Sequence, residues 1–218
     1  MKQILYNTIR FYRTSIKKDL KLTQHLTDIL IGFILGDLYA ERKTIRNNTR
    51  MQFNQTAKHS RYIEHLYKLF IDYVGSKPKS YITSGGLIHM KHKTYSSIKF
   101  YSLSLSCFNM FRKLFYDDKG IKIVPDNLSK LLTIRGLAYW YIDDGYKAGN
   151  EFVLCTESFS KAENYRLAKI LIDNFNISSS DRSYNNKYRL FILSSSRENF
   201  ITLVKPYIIP FFYYKLGL

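Results

Sequence analysis

Two stretches of the chain are almost wholly apolar and end in acid. Ile29-Leu30-Ile31-Gly32-Phe33-Ile34-Leu35-Gly36 runs into Asp37, and Leu137-Ala138-Tyr139-Trp140-Tyr141-Ile142 runs into Asp143-Asp144-Gly145. Thr27 and Thr133 precede them as helix N-caps, so each stretch reads as a short buried helix. Behind each comes a polar hairpin and an alternating strand, Met51 to Thr56 in one case and Val153 to Ser158 in the other. Alternation puts Gln55 and Glu157 at matching places. An amphipathic helix follows, with Ile63, Leu66, Tyr67, Phe70 and Val74 before Gly75, matched by Leu167, Ala168, Leu171 and Phe175 before Asn176.

Each copy then predicts a second hairpin. The first runs from Lys79 to Phe100 through Gly85-Gly86, the second from Ser178 to Leu193 through Asn185-Asn186. Closing helices fall around Phe108 to Phe115 and Phe200 to Val204. The pattern therefore repeats, as αββαββα twice over, and predicts an α+β molecule with two pseudo-symmetric halves. Pro125, in Lys122-Ile123-Val124-Pro125-Asp126-Asn127, disfavours helix in the residue before it and marks the linker. The expected divisions are a basic N-terminal arm over 1–26, a first half over 27–126 and a second over 127–218.

Charge adds a partner to this picture. Lys+Arg 34 against Asp+Glu 17 gives a formal charge of +17, spread along the whole length. Such a surface favours a polyanion, because each phosphate it neutralises releases counterions. No apolar run approaches the roughly 18 residues of a membrane span, and no long basic amphipathic helix suggests a membrane face. A soluble protein with no membrane partner is expected. Cys107 and Cys155 sit in alternating runs as small buried hydrophobes and imply no disulfide framework. His89 and His92 lack cysteine partners at zinc spacing. The first 21 residues, with Leu5, Ile9, Tyr12 and Ile16 among basic residues, fit either an arm on nucleic acid or an organelle-targeting segment.

The two acidic helix ends then demand an explanation. Unpaired carbonyls make a helix C-terminus partly negative, which disfavours a carboxylate there by roughly 0.3 to 1 kcal/mol. A single such acid is an ordinary helix terminator. Recurrence after the same helix in both halves instead predicts that the helices pack together, so that Asp37 and Asp144 converge with backbone carbonyls into an all-oxygen site for a hard cation such as Mg²⁺.

At this point the residues carry a resemblance. LIGFILGDL at 30 to 38 and LAYWYIDDG at 137 to 145 resemble the two signature helices of the LAGLIDADG homing endonucleases, in the two-motif monomeric branch. The likeness runs from about Asp28 to Leu216. It implies divalent-metal binding by Asp37 and Asp144, joined by the main-chain carbonyls of Gly36 and Asp143, with the two helices as the interface between halves. Mg²⁺ is the implied ion, with Mn²⁺ as a substitute and Ca²⁺ binding without supporting cleavage. By the same resemblance Lys122 and Lys215 are the basic residues near the reacting phosphate, Gln55 positions water, and Glu157 departs from the pattern in the second half. Leu38 stands where the signature has its terminal glycine.

The implied activity is a double-strand break in a long, non-palindromic DNA target, made by a monomer encoded in a mitochondrial or plastid intron. Outward side chains of the two sheets are the expected readers of a major groove. In the first half these are Arg46, Arg50, Gln52, Asn54, Lys79, Tyr81, Lys91, Lys93 and Lys99; in the second, Lys147, Arg182, Tyr184, Lys187 and Arg189. The alternatives are an RNA-binding maturase for a group I intron and a catalytically silent DNA-binding protein. Retention of both aspartates favours the nuclease.

Overall fold

The computed structural model describes residues 20–84 and 94–218. Residues 1–19 of the basic arm, the Gly85-Gly86 turn, His89, Lys91, His92 and Lys93 lie outside the described residues. Helix α1 (Gln24–Leu35) leads to strands β1 (Tyr39–Glu41) and β2 (Arg50–Thr56), helix α2 (Ser60–Leu69), strands β3 (Lys79–Ser84) and β4 (Thr94–Tyr101), and helix α3 (Asn109–Phe115). After a short helix α4 (Leu128–Leu131), the order repeats as α5 (Ile134–Asp144), β5 (Gly145–Ala148), β6 (Glu151–Leu154), α6 (Lys161–Phe175), β7 (Ser179–Tyr184), β8 (Lys187–Ile192) and α7 (Arg197–Val204). The chain ends in helix α8 (Tyr213–Leu216).

The expected repeat is present in the topology itself. Both sheets are four-stranded and antiparallel, ordered β1-β2-β4-β3 and β5-β6-β8-β7. The fold is α+β with two pseudo-symmetric halves. Two compact units result, one made of residues 20–23 with Tyr39–Arg112, the other of Gln24–Leu38 with Lys113–Leu218. Both signature helices therefore lie in the second unit.

In the first unit, the inward face of the sheet is fixed by period-2 alternation. Met51 and Phe53 are buried, and Phe53 stacks on its cross-strand partner Phe100 with ring centroids 4.4 Å apart. Tyr62, Ile63 and Leu66 of α2 bury beside them. In the second unit, Phe152, Leu154, Leu190 and Ile192 form the inward face, and Tyr141 meets Phe152 and Phe200 edge-on.

Helices α1 and α5 are in backbone contact. A Cβ built on Gly32 would lie 1.9 Å from the Gly136 carbonyl oxygen, so only glycine permits this approach. Phe33, the next residue along α1, packs edge-on against Tyr139 at 5.3 Å. At the N-terminal ends, Asp28 is buried, accepts from Gln24 at 2.7 Å and pairs with Arg135 at 3.0 Å.

Thr133 caps α5 as expected, accepting from the Gly136 amide. Thr27 does not cap α1, because the helix starts three residues earlier at Gln24 and gains a turn that buries Leu26. The strand expected over Val153 to Ser158 stops at Leu154, because buried Asn164 donates to the carbonyls of Thr156, Phe159 and Ser160 and draws the chain into a loop. Asn176 ends α6 at φ 53°, and Asn185-Asn186, at φ 48° and 60°, turn the last hairpin as expected.

Candidate metal centre and nucleic-acid interface

The second unit brings the two acidic helix ends together. The Asp37 amide donates to the Asp143 carboxylate at 2.8 Å, tying the end of α1 to the last turn of α5. Asp143 is thus an inter-helix acceptor as well as a potential main-chain ligand. Gly36 is confined by the same contact, since a Cβ there would sit 2.8 Å from Asp143 Oδ2.

Each helix end is also capped by a lysine. Lys122 Nζ donates to the carbonyls of Gly36 at 2.6 Å and Leu38 at 3.2 Å. Lys215 Nζ donates to Ile142 at 2.5 Å and Gly145 at 2.9 Å, while its own carbonyl accepts from the Tyr141 hydroxyl at 2.6 Å. Leu38 and Gly145 each follow a signature aspartate, so the two lysines share that contact, while the second acceptor is one residue before Asp37 in one case and two before Asp144 in the other. An ammonium there offsets the negative end of the helix.

Burial and mutual repulsion set the titration of this cluster. Asp143 is pushed up to about 8, by desolvation first and then by Asp37. Asp144 is pushed up to about 7 by desolvation, Asp37 and Glu157. Burial lowers Lys122 and Lys215, opposed by the surrounding aspartates.

The donors are hard oxygens. Among the described residues no group of three His, Cys, Asp or Glu side chains could hold a metal ion. A closed structural cage is therefore not what this site offers. Mg²⁺ commonly binds through one or two carboxylates, with water and phosphate completing its shell, and Asp37, Asp144 and the adjacent carbonyls fit that requirement.

The sequence reading missed Cys155 here. It is half-buried, its amide donates to the Asp144 carbonyl at 3.0 Å, and its thiol donates to the Asp144 carboxylate, with burial pushing the thiol up to about 12. Counting back from the two-residue turn at Gly149-Asn150 places Cys155 opposite Asp144, so hairpin register carried the signal.

Register also shifts one expected match. Tyr39 and Tyr146 each lie two residues after their aspartate, and they pair with Gln52 and Val153 respectively. Carried forward, Gln55 corresponds to Thr156, and Glu157 to Thr56. Gln55 is half-buried with its carbonyl oxygen 3.2 Å from His59 Nδ1. Glu157 lies past the strand, ion-paired to Arg189.

On the first sheet, ladder partners place Arg50, Gln52, Asn54, Lys79, Tyr81 and Lys99 on the outward face. Asn54, Lys99 and Lys79 form one row across three strands, and Lys99 Nζ lies 5.5 Å from the Tyr81 ring centroid. Arg46 is exposed in the β1-β2 loop. In the second sheet, Arg182 pairs with Arg189 across the ladder, opposite the buried face, and Lys187 shares that side. Tyr184 pairs with Lys187 through the backbone. Lys147 is not brought to this group, since its row contains the inward-facing Phe152 and Ile192.

Residues 27–200 match the model of the LAGLIDADG DNA endonuclease family. A Wickerhamomyces canadensis protein named probable intron-encoded endonuclease 1 is 33% identical over 205 residues, covering 87% of this chain and 82% of its own length. The cytochrome b mRNA maturase bI2 of Debaryomyces hansenii is 30% identical over 203 residues, covering 90% of this chain and 75% of its own. A solved structure of the homing endonuclease I-WcaI bound to its DNA recognition sequence superposes with a TM-score of 0.86 at 31% identity, covering 93% of this chain and 91% of that one. Among the described residues no helix is long and apolar enough to cross a membrane.

Proposed function

Because the chain belongs to the LAGLIDADG DNA endonuclease family, we propose that it is a site-specific homing endonuclease that makes a double-strand break in a long, non-palindromic DNA target. The observation that carries this reading is the meeting of the two acidic helix ends, with the Asp37 amide on the Asp143 carboxylate. Asp37 and Asp144 are the carboxylates that would hold Mg²⁺, or Mn²⁺ in its place. When bound, a divalent ion supplies Lewis-acid charge that neutralises the scissile phosphate and makes water a stronger nucleophile.

The protein's own groups do the remaining work. Lys122 and Lys215 each have three N–H donors, of which two are engaged by helix-end carbonyls. The third is available to a phosphate oxygen as charge develops in the transition state. Asp143 keeps the two helix ends in register. Gln55, and Glu157 with less symmetry, are proposed to order water near the carboxylates. The basic outward sheet faces would position and read the duplex as a monomer.

A maturase reading for a group I intron is supported by the bI2 relative's name, and that name also favours a mitochondrial setting. The test incubates purified protein and Mg²⁺ with a DNA library, recovers cut molecules, and runs Asp144→Asn in parallel. Site-specific cutting by the wild type alone is the expected result. Equal cutting by the variant rejects the nuclease reading built on Asp144, and no cutting by either while intron RNA splicing is promoted favours the maturase.

A further inference from the structure

The outward faces of the two sheets each carry an arginine whose guanidinium sits over an aromatic ring and is tied to a glutamate, but Arg182 and Arg50 are tied differently. Arg182 has its guanidinium 4.4 Å from the Phe191 ring centroid, and both Nη1 and Nη2 donate to Glu151 at 2.7 Å. Its two-pronged edge is consumed by a carboxylate. Arg50 lies 4.5 Å from the Tyr101 ring centroid, and its ion pair with Glu41, the residue directly opposite on β1, engages Nε. Among the described contacts, the Nη1 and Nη2 edge is not part of that pair.

Arg50 borders a polar recess of about 230 Å³ that Glu41, Lys43, Asn47, Asn48 and Ser104 also line. We infer that Arg50 reads one guanine of the target, donating from Nη1 and Nη2 to the O6 and N7 acceptors in the major groove; this rests on the endonuclease reading above. Arginine's planar fork matches those two acceptors, and the Tyr101 ring with the Nε tether to Glu41 confines where the fork points. Glu41 also argues against a phosphate partner. Its carboxylate offsets the guanidinium charge and repels a phosphate, while leaving the geometry of the fork intact.

The experiment selects bound duplexes from a randomised library, with Ca²⁺ replacing Mg²⁺ so that molecules are bound and not cut, using the wild type, Arg50→Lys and Arg50→Ala. The wild type is expected to enrich guanine at one position by about tenfold or more over the other bases. Arg50→Ala should flatten that position and Arg50→Lys should weaken it, both leaving the other positions as they were. Arg50→Ala keeping the guanine preference, or weakening all sequences equally as loss of a phosphate contact would, overturns the inference. No sequence selected by the wild type would instead remove the site-specific reading itself. Should Arg50→Ala fail to fold by thermal melting, Glu41→Ala decides: loss of the acceptor for Arg50 Nε should cut the guanine preference severalfold, and an unchanged preference refutes it.

Discussion

Gly32→Ala tests whether the helix pair is held at backbone contact. The added Cβ would meet the Gly136 carbonyl oxygen at 1.9 Å, its carbon at 2.8 Å and its Cα at 3.0 Å. Ordinary contact is about 3.4 to 3.5 Å, so the backbones must part by about 1.5 Å. No side chain can move aside to relieve this. Overpacking typically costs about 1 to 3 kcal/mol, and a backbone clash between paired helices belongs at or above the top of that range. Alanine returns about 1 kcal/mol through its higher helix propensity. A net loss of about 2 to 4 kcal/mol follows, which lowers the Tm of a chain this size by roughly 5 to 15 °C.

Gly136→Ala is the internal control. Its Cβ would meet Asp28 O at 3.0 Å and the end of the Leu132 side chain at 3.2 Å, contacts that shifts of a few tenths of an ångström relieve. Its expected effect is within about 1 kcal/mol of zero, close to the helix-propensity gain. Thermal melts of both variants beside the wild type make the comparison, with cleavage assayed at a temperature where all are folded. Gly32→Ala should also lose cutting, because parting the helices pulls Asp37 from Asp143. A Gly32→Ala protein that melts at or above Gly136→Ala would refute the backbone-contact account.

Two further outcomes follow from the same helix pair. Asp143 and Asp144 hold protons up to about pH 8 and 7 in the fold, whereas the unfolded chain releases them near pH 4. The native state thus binds more protons across that window, and metal-free stability should fall as pH rises through it. Mg²⁺ should raise Tm more at pH 8 than at pH 5, and an equal gain at both would contradict the site. Separately, Asp28→Asn should lower the urea midpoint by the equivalent of about 1 to 3 kcal/mol, below the roughly 3 to 5 kcal/mol of a fully buried pair, because Arg135 keeps partial contact with water. A midpoint shift below about 0.5 kcal/mol would show the pair to be inert.

Much of this architecture was legible because its signals are periodic. Apolar runs ending in acid, period-2 strands around Phe53 and Leu190, and Asn-Asn at a tight turn each express a local rule, and their recurrence supplied the halves. What escaped depended on partners distant in sequence. Nothing local to Cys155 reports that it faces Asp144; the hairpin register does. Lys147 looked like a reader of nucleic acid from its charge, yet its row faces inward. The loop after Leu154 is set by Asn164, ten residues on. Likewise, nothing local to Gly32 or Gly136 reports that their two backbones touch.

The division into units has an evolutionary reading. Residues 39–112 leave and rejoin the unit that contains both signature helices as one continuous insert. Asp37, Asp143, Asp144, Lys122 and Lys215 all stay outside it. A recombination event with breakpoints beside Leu38 and Lys113 would therefore exchange the first sheet and its helices, Gln55 included, while leaving both aspartates and both lysines in place.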